Sequence, residues 1–434
     1  MRRRRRTLPR RSSRTRPPSA KRRRPTTPSE ARIDRASAEV VADARFSSEA
    51  REVHASRERF YLPELDLLRF LACTTIFLQH VYQHTPAHLY PAMHPDWGGR
   101  LVQIFAWSGG YSVDLFLALS AFLITQLLLR ERETTGAINL RRFYLRRILR
   151  IWPLYYFYLI VIALAGLWFA PFYASPKWLI LSALLSANIA NALWGWTPTF
   201  VASHLWTIAV EEHFYLVWPA IVRKLRPRGI AIAALAMLAV SFATRAVCWM
   251  VDAPGAFVWT NTLTRLDPLA VGILLALYLR HRKYAPHALV RAALLLAGPG
   301  IMLMVSAYCD PYRSPNSALT LFFGYPAVAL GCVVILLGFH GMRLNQERFL
   351  DRAGIYLGRI SYGLYIWQMT AIVLVVRGLD RPLPVSGDWV DSVKFAAACA
   401  FVLNIGIAAA SYRWVETPFL RLKSRFAVVP SRPE

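Results

Sequence analysis

The chain has 434 residues, 55% of them hydrophobic, and 52 Lys+Arg against 25 Asp+Glu give it a formal charge of +27. A purely soluble fold rarely stays that apolar over such a length, and such basicity fits a membrane surface, or orientation in a membrane, better than nucleic acid. Cys73, Cys248, Cys309, Cys332 and Cys399 form no CxxC pair, so neither a metal site nor a disulfide framework is read from them.

Residues 1–59 come first. "MRRRRRTLPRRSSRTRPPSAKRRRP" is rich in Arg, Pro and Ser and has almost nothing to bury. Such a segment cannot offset its ordering entropy and is expected to be a disordered basic cytoplasmic tail. It lacks the apolar stretch of a secretory signal peptide. Anionic lipid headgroups are its second natural partner. No aromatic residues interleave the arginines, so nucleic acid is not expected.

Apolar runs of bilayer-crossing length follow. They cover 64–84, 108–129, 150–170, 205–222, 229–250, 264–280, 286–306, 318–339, 355–377 and 393–412. The stretch 178–193, followed by "WGWTPTF", is shorter and is expected to be re-entrant or interfacial. Charge decides this. The basic connections "RERETTGAINLRRFYLRRILR", "RKLRPR", "RHRK", "RLNQERFLDR" and "RLKSR" fall on one side only if 178–193 does not cross. The expected fold is therefore all-α, a polytopic membrane bundle of about ten transmembrane helices with both termini cytoplasmic. The expected divisions are a tail at 1–59, a membrane domain at 60–423 and a C-terminal tail at 424–434. Gly354 and Gly358 form a single GxxxG, weak evidence by itself for helix pairing.

Ionisable residues inside spans are costly and usually face a protein interior or a water-filled cavity. "ELDLLRFLACTTIFLQH" carries three. Arg69 and His80 share a helical face to within roughly 20° and lie about 16 Å apart along the axis. Asp66 is within ion-pair reach of Arg69. Snorkelling at the span ends is the simpler alternative. In "SVDLFLALSAFLIT", Asp114 serves as a cap, an inter-helix bond or a chemical group. "FYLRRILRIWPLYY" sets Arg146, Arg147 and Arg150 at a span entry, with Pro153 expected early in that helix. Arg147 and Arg150 are i,i+3 neighbours, and arginine's planar fork suits phosphate. Orientation alone would also account for these arginines. In "SHLWTIAVEEHFYLVWP", Glu211 and Glu212 point about 100° apart, so one is expected to face a cavity; His213 is expected to be structural or interfacial.

Together these stretches resemble the acyltransferase 3 family of bacterial membrane O-acyltransferases. The resemblance runs in order through "RLDPLAVGILLAL" and "LGRISYGLYIW" to "VETPFLRL" and covers roughly residues 60–423. It implies transfer of an acyl group, often acetyl, from cytoplasmic acyl-CoA to the hydroxyl of a carbohydrate acceptor, in the bacterial inner membrane and without a metal. By resemblance, Arg69 and His80 are the functional arginine and histidine of the first span. Arg147 and Arg150 match the RxxR signature, and Glu211 matches the acid of the W-[ST]-L-x-x-E-x-x-F-Y pattern. Many members read Trp-His late in the chain, where this sequence has Trp367-Gln368, so no titrating role is expected there. Some relatives continue into a soluble domain; this chain ends soon after "VETPFLRLK" and is expected to act through its membrane domain. The roles that follow are acyl-CoA held by Arg147, Arg150 and Arg69, and a proton taken by His80. Glu211 would orient His80 or the acceptor. A transporter or flippase of a glycan or lipid intermediate is the alternative, for which inverted repeats would speak; none is found.

Overall fold

The computed structural model describes residues 61–84, 97–196, 201–282, 284–309, 315–376 and 389–426. The expected basic tail and nearly all of the C-terminal tail lie outside the described residues. Among the described residues every regular element is a helix. In chain order these are α1 (Pro63–His84), α2 (Trp97–Gly109), α3 (Ser112–Thr135), α4 (Leu140–Ala165), α5 (Pro176–Ala183) and α6 (Ala187–Trp194). Next come α7 (Trp206–Lys224), α8 (Pro227–Met250), α9 (Gly255–Thr260), α10 (Leu266–Leu279), α11 (Ala288–Tyr308) and α12 (Tyr325–Phe339). The chain then forms α13 (Phe349–Arg359), α14 (Ser361–Val376), α15 (Trp389–Ser411) and α16 (Thr417–Ser424).

Six helical stretches are long and apolar enough to cross a bilayer: Gly99–Thr135, Leu140–Ala165, Pro227–Met250, Ala288–Tyr308, Thr320–Phe339 and Lys394–Lys423. The protein is a multi-pass membrane protein. The remaining expected spans are helical too, but polar or short. α1 and α7 carry the ionisable residues singled out above, α10 has 14 residues, and the expected span 355–377 is two helices meeting at Ile360. The run 178–193 is two helices of eight residues each, α5 and α6, neither long enough to cross by itself.

Local sequence explains the helix starts that matter. Pro63 opens α1, where its missing N–H costs nothing, and Glu64 and Asp66 follow in the first turn, where a helix N-terminus favours negative charge. α4 starts earlier than expected because Asn139 caps it, its side chain accepting from the Arg142 N–H at 3.0 Å. Pro153 is consequently well inside the helix, not near its start, so one intrahelical hydrogen bond is missing there. Tyr362 of α14 braces this stretch by donating to the Ile151 carbonyl at 2.8 Å.

α3 packs on α10, α11 on α12, α14 on α15, and α13 across the start of α1. This last contact uses the GxxxG. A Cβ at Gly358 would collide with the Asp66 carbonyl, and one at Gly354 would meet Leu67. Leu65, Leu68, Leu117, Ala118, Phe122, Tyr155 and Trp218 belong to the buried core that joins these layers.

Candidate active site

A cavity enclosing about 1360 Å³ of non-protein space, its open mouth included, lies between α1, α3, α4, α7 and α14. Its wall includes Arg69, Arg147, Arg150 and Glu211, four of the five residues singled out by sequence. His80 is not in that wall.

The basic residues of α4 have different surroundings. Arg146 is tied down, with Nη2 on Glu131 at 2.9 Å and Nη1 donating to the Phe426 carbonyl at 3.0 Å. Glu131 also accepts from the Asn139 N–H at 2.8 Å, so this pair fixes the α3–α4 corner. Arg150 reaches Glu416 at 3.3 Å. A π-helical turn, Tyr412–Glu416, sets that acid just before α16. Arg147 has no such partner. Its guanidinium lies 5.7 Å from the ring centroids of both Phe143 and Tyr215, and its Nε is buried without a hydrogen bond. Among the described residues no carboxylate bonds it.

On the facing helix, Arg69 bonds Asp66 at 2.9 Å, as their spacing predicts. Tyr61 donates to the second Asp66 oxygen at 2.9 Å. Burial, and then the Asp66 charge, push the Tyr61 phenol above its ordinary range, so it remains a donor at neutral pH.

The adjacent acids of α7 diverge. Glu211 turns to the cavity and accepts from the Ser120 hydroxyl at 2.7 Å and from Tyr215 at 3.3 Å. Glu212 turns to α4 and accepts from the Trp152 indole at 3.3 Å. His213 bonds the Thr262 hydroxyl at 2.9 Å. Sequence reasoning missed Ser120 and Tyr215, although Tyr215 sits at i+4 from Glu211, a spacing that places them together.

The cavity ends against Thr207 and Tyr365, whose hydroxyls are 2.7 Å apart. Both hydroxyls also lie within reach of the His204 carbonyl, Tyr365 at 2.8 Å and Thr207 at 3.3 Å, and either can donate to the other. Behind this layer the His204 ring lies 5.3 Å from Tyr365 and 6.3 Å from His80. Among the described residues His80 and Glu211 share no hydrogen bond, so the expected orientation of His80 by Glu211 is not what the geometry provides. Glu211 is engaged by Ser120 and Tyr215 in the cavity wall, whereas His80, outside that wall, faces His204.

Asp114 is not in the cavity wall. It bonds Arg265 at 2.7 Å, beside Arg245 and Asp267, also 2.7 Å apart. All four side chains are nearly fully buried. Asp114 is therefore an inter-helix tie, one of the roles open to it from sequence. Its partners were missed because Arg265 sits in a turn between helices.

The acyltransferase-domain family model matches residues 62–418. Two similar relatives are the peptidoglycan O-acetyltransferase OatA of Listeria monocytogenes serovar 1/2a, 26% identical over 389 residues, and the O-acetyltransferase OatA of Staphylococcus aureus strain NCTC 8325, 26% identical over 409 residues. The matches cover 83% and 86% of this chain but only 56% and 59% of those relatives. No solved structure matches the chain.

Proposed function

The chain belongs to the acyltransferase-domain family, and on that premise we propose that it is a membrane-embedded O-acetyltransferase. It moves an acetyl group from acyl-CoA on the cytoplasmic side to a hydroxyl of a carbohydrate acceptor on the other, in a bacterial inner membrane. About ten crossings with both termini cytoplasmic would put the basic connections on one side. The names of the relatives point to peptidoglycan as the acceptor class to test first.

The observation that carries this reading is Arg147, an arginine at the wall of a large cavity that lies over aromatic rings and, among the described residues, has no carboxylate bonded to it. Such a group lacks only an anion, and a guanidinium holds phosphate oxygens in a bidentate fork. Arg150, already paired with Glu416, contributes less. Arg69 holds the donor or polarises the thioester carbonyl, with Glu211 as a nearby countercharge on the same wall. To reach His80 the donor's arm has to part the Thr207–Tyr365 hydrogen bond that closes the cavity. There the acceptor hydroxyl gives its proton to His80 as its oxygen bonds the acyl carbon. The C–S bond breaks, and the departing thiolate recovers that proton, leaving an ester and a free thiol.

Purified protein should release thiol from acetyl-CoA in the presence of muropeptides or chitopentaose. His80→Ala should lower that rate at least about a hundredfold while eluting as a single species on size exclusion. A wild type that leaves acetyl-CoA untouched would overturn the donor assignment and favour a transporter, which has no use for it. An active His80→Ala would remove His80 from the chemistry.

A further inference from the structure

α16 is held against α4 at both ends. Glu416, just before it, accepts from Arg150 at 3.3 Å, and the Phe426 carbonyl, two residues past it, accepts from Nη1 of Arg146 at 3.0 Å. Arg146 is itself pinned by Glu131 at 2.9 Å. Phe426 in turn donates its backbone N–H to the Lys423 carbonyl at 3.0 Å. Two successive hydrogen bonds thus tie the backbone of Lys423 to α4. Helical period sorts the arginines of α4. Arg146 and Arg150 lie about 40° apart around the helix and both meet the α16 segment, whereas Arg147 points about 100° away from Arg146.

This arrangement brings Lys423 into the wall of the same cavity as Arg147. In the last turn of α16, Arg421 and Leu422 are exposed and Lys423 is half-buried. A lysine that only anchored the helix to lipid headgroups would extend outward; this one lies against the cavity. Among the described residues the wall carries Arg69, Arg147, Arg150 and Lys423 against Asp66 and Glu211. Asp66 bonds Arg69, and Glu211 accepts from Ser120 and Tyr215. An excess of cations in a cleft with low-dielectric walls focuses potential and draws in an anion. The two cations also differ in kind. The fork of Arg147 suits one phosphate held in a fixed orientation, whereas an ammonium is a compact point charge on a flexible stem.

We propose that Lys423 is a second phosphate-binding residue of the donor site, carried on α16 to the cavity wall that Arg147 also lines. This deepens the reading above and rests on acyl-CoA as the donor. CoA bears phosphate at two places, a diphosphate and a ribose phosphate, so two cations from separate helices have separate groups to hold. What Lys423 recognises is phosphate oxygen, a chemistry that a lipid headgroup shares.

The test is direct binding of CoA, and of pantetheine, the same arm without phosphates. It compares purified full-length wild type, Lys423→Met and Lys423→Arg in phosphatidylcholine nanodiscs. Lys423→Met should weaken CoA binding about tenfold, the loss of one charge-assisted hydrogen bond, and leave the Kd of pantetheine within about twofold. Lys423→Arg should recover most of the loss. Lys423→Gln takes the place of Lys423→Met if the latter does not elute as one species, with the same result expected. An unchanged Kd for CoA, or equal weakening of CoA and pantetheine, would overturn the proposal. A difference between wild type and variant that emerges only when phosphatidylglycerol is added would assign the lysine to a lipid headgroup and overturn it too. A wild type that binds no CoA would overturn both this proposal and the donor reading. One that binds CoA but leaves acetyl-CoA intact in the presence of muropeptides would overturn the transferase reading alone.

Discussion

Two regions of this protein hold arginines in its interior and treat them in opposite ways. In the first, Arg265 meets Asp114 and Arg245 meets Asp267, cation for anion, with Arg265 also 4.7 Å from the centre of the Trp259 ring. In the second, the cavity wall carries Arg69, Arg147, Arg150 and Lys423 against Asp66 and Glu211. Even with Glu416 behind Arg150, Arg147 is left with aromatic rings and, among the described residues, no carboxylate bonded to it. A matched set in a low dielectric is stable only as a set, because removing one member strands a buried charge. An unmatched guanidinium beside open space is suited to an anion that comes and goes. Charge balance, more than burial, separates what holds the helices together from what binds.

The largest effect should come from breaking the matched set. Arg265→Met leaves Asp114 uncompensated and should destabilise the fold by about 3–5 kcal/mol, seen as a lower melting temperature in detergent. Adding Asp114→Leu should restore most of the loss. A double variant no more stable than the single one would show that the set is not held together by charge matching.

Arg147→Gln should act the other way round. It should raise KM for acetyl-CoA about ten- to a hundredfold, the worth of a charge-assisted hydrogen bond, and leave the melting temperature nearly unchanged. A loss of stability as large as that of Arg265→Met would erase the distinction between the two regions.

The smallest effect is expected at Arg150→Gln. Its guanidinium is already held by the buried Glu416 at 3.3 Å, so little of its charge is left for the donor. KM for acetyl-CoA should move by about threefold or less. An effect equal to that of Arg147→Gln would mean that the donor displaces Glu416 and uses both arginines.

The charged residues of the site were legible as a set because lipid makes each one conspicuous. Arg69, His80 and Glu211 came from apolar runs that they interrupt, and Arg147 and Arg150 from the basic entry to one. Their partners were harder to find. Ser120, Thr207 and Tyr365 are ordinary in membrane helices, and nothing in their spacing links them across helices. The α4 start was misplaced because the apolar run begins near residue 150, whereas the helix begins at its Asn139 cap. A bilayer-based reading finds where a chain turns apolar, not where its backbone turns helical.

Sequence by itself determined an all-helical multi-pass membrane protein of the acyltransferase family, with Asp66 paired to Arg69 and the two acids of α7 on different faces. The family follows from the resemblance of its motifs; the rest follows from composition and helical period, which are local. Tertiary structure alone decided the division of labour: Glu131 for Arg146, Glu416 for Arg150, Ser120 for Glu211 and, among the described residues, no bonded carboxylate for Arg147. These are contacts between residues as far as 266 positions apart for Arg150 and Glu416. Only the packing of α4 against the turn before α16, and of α13 against α1 where Gly358 admits close approach, sets which side chain meets which.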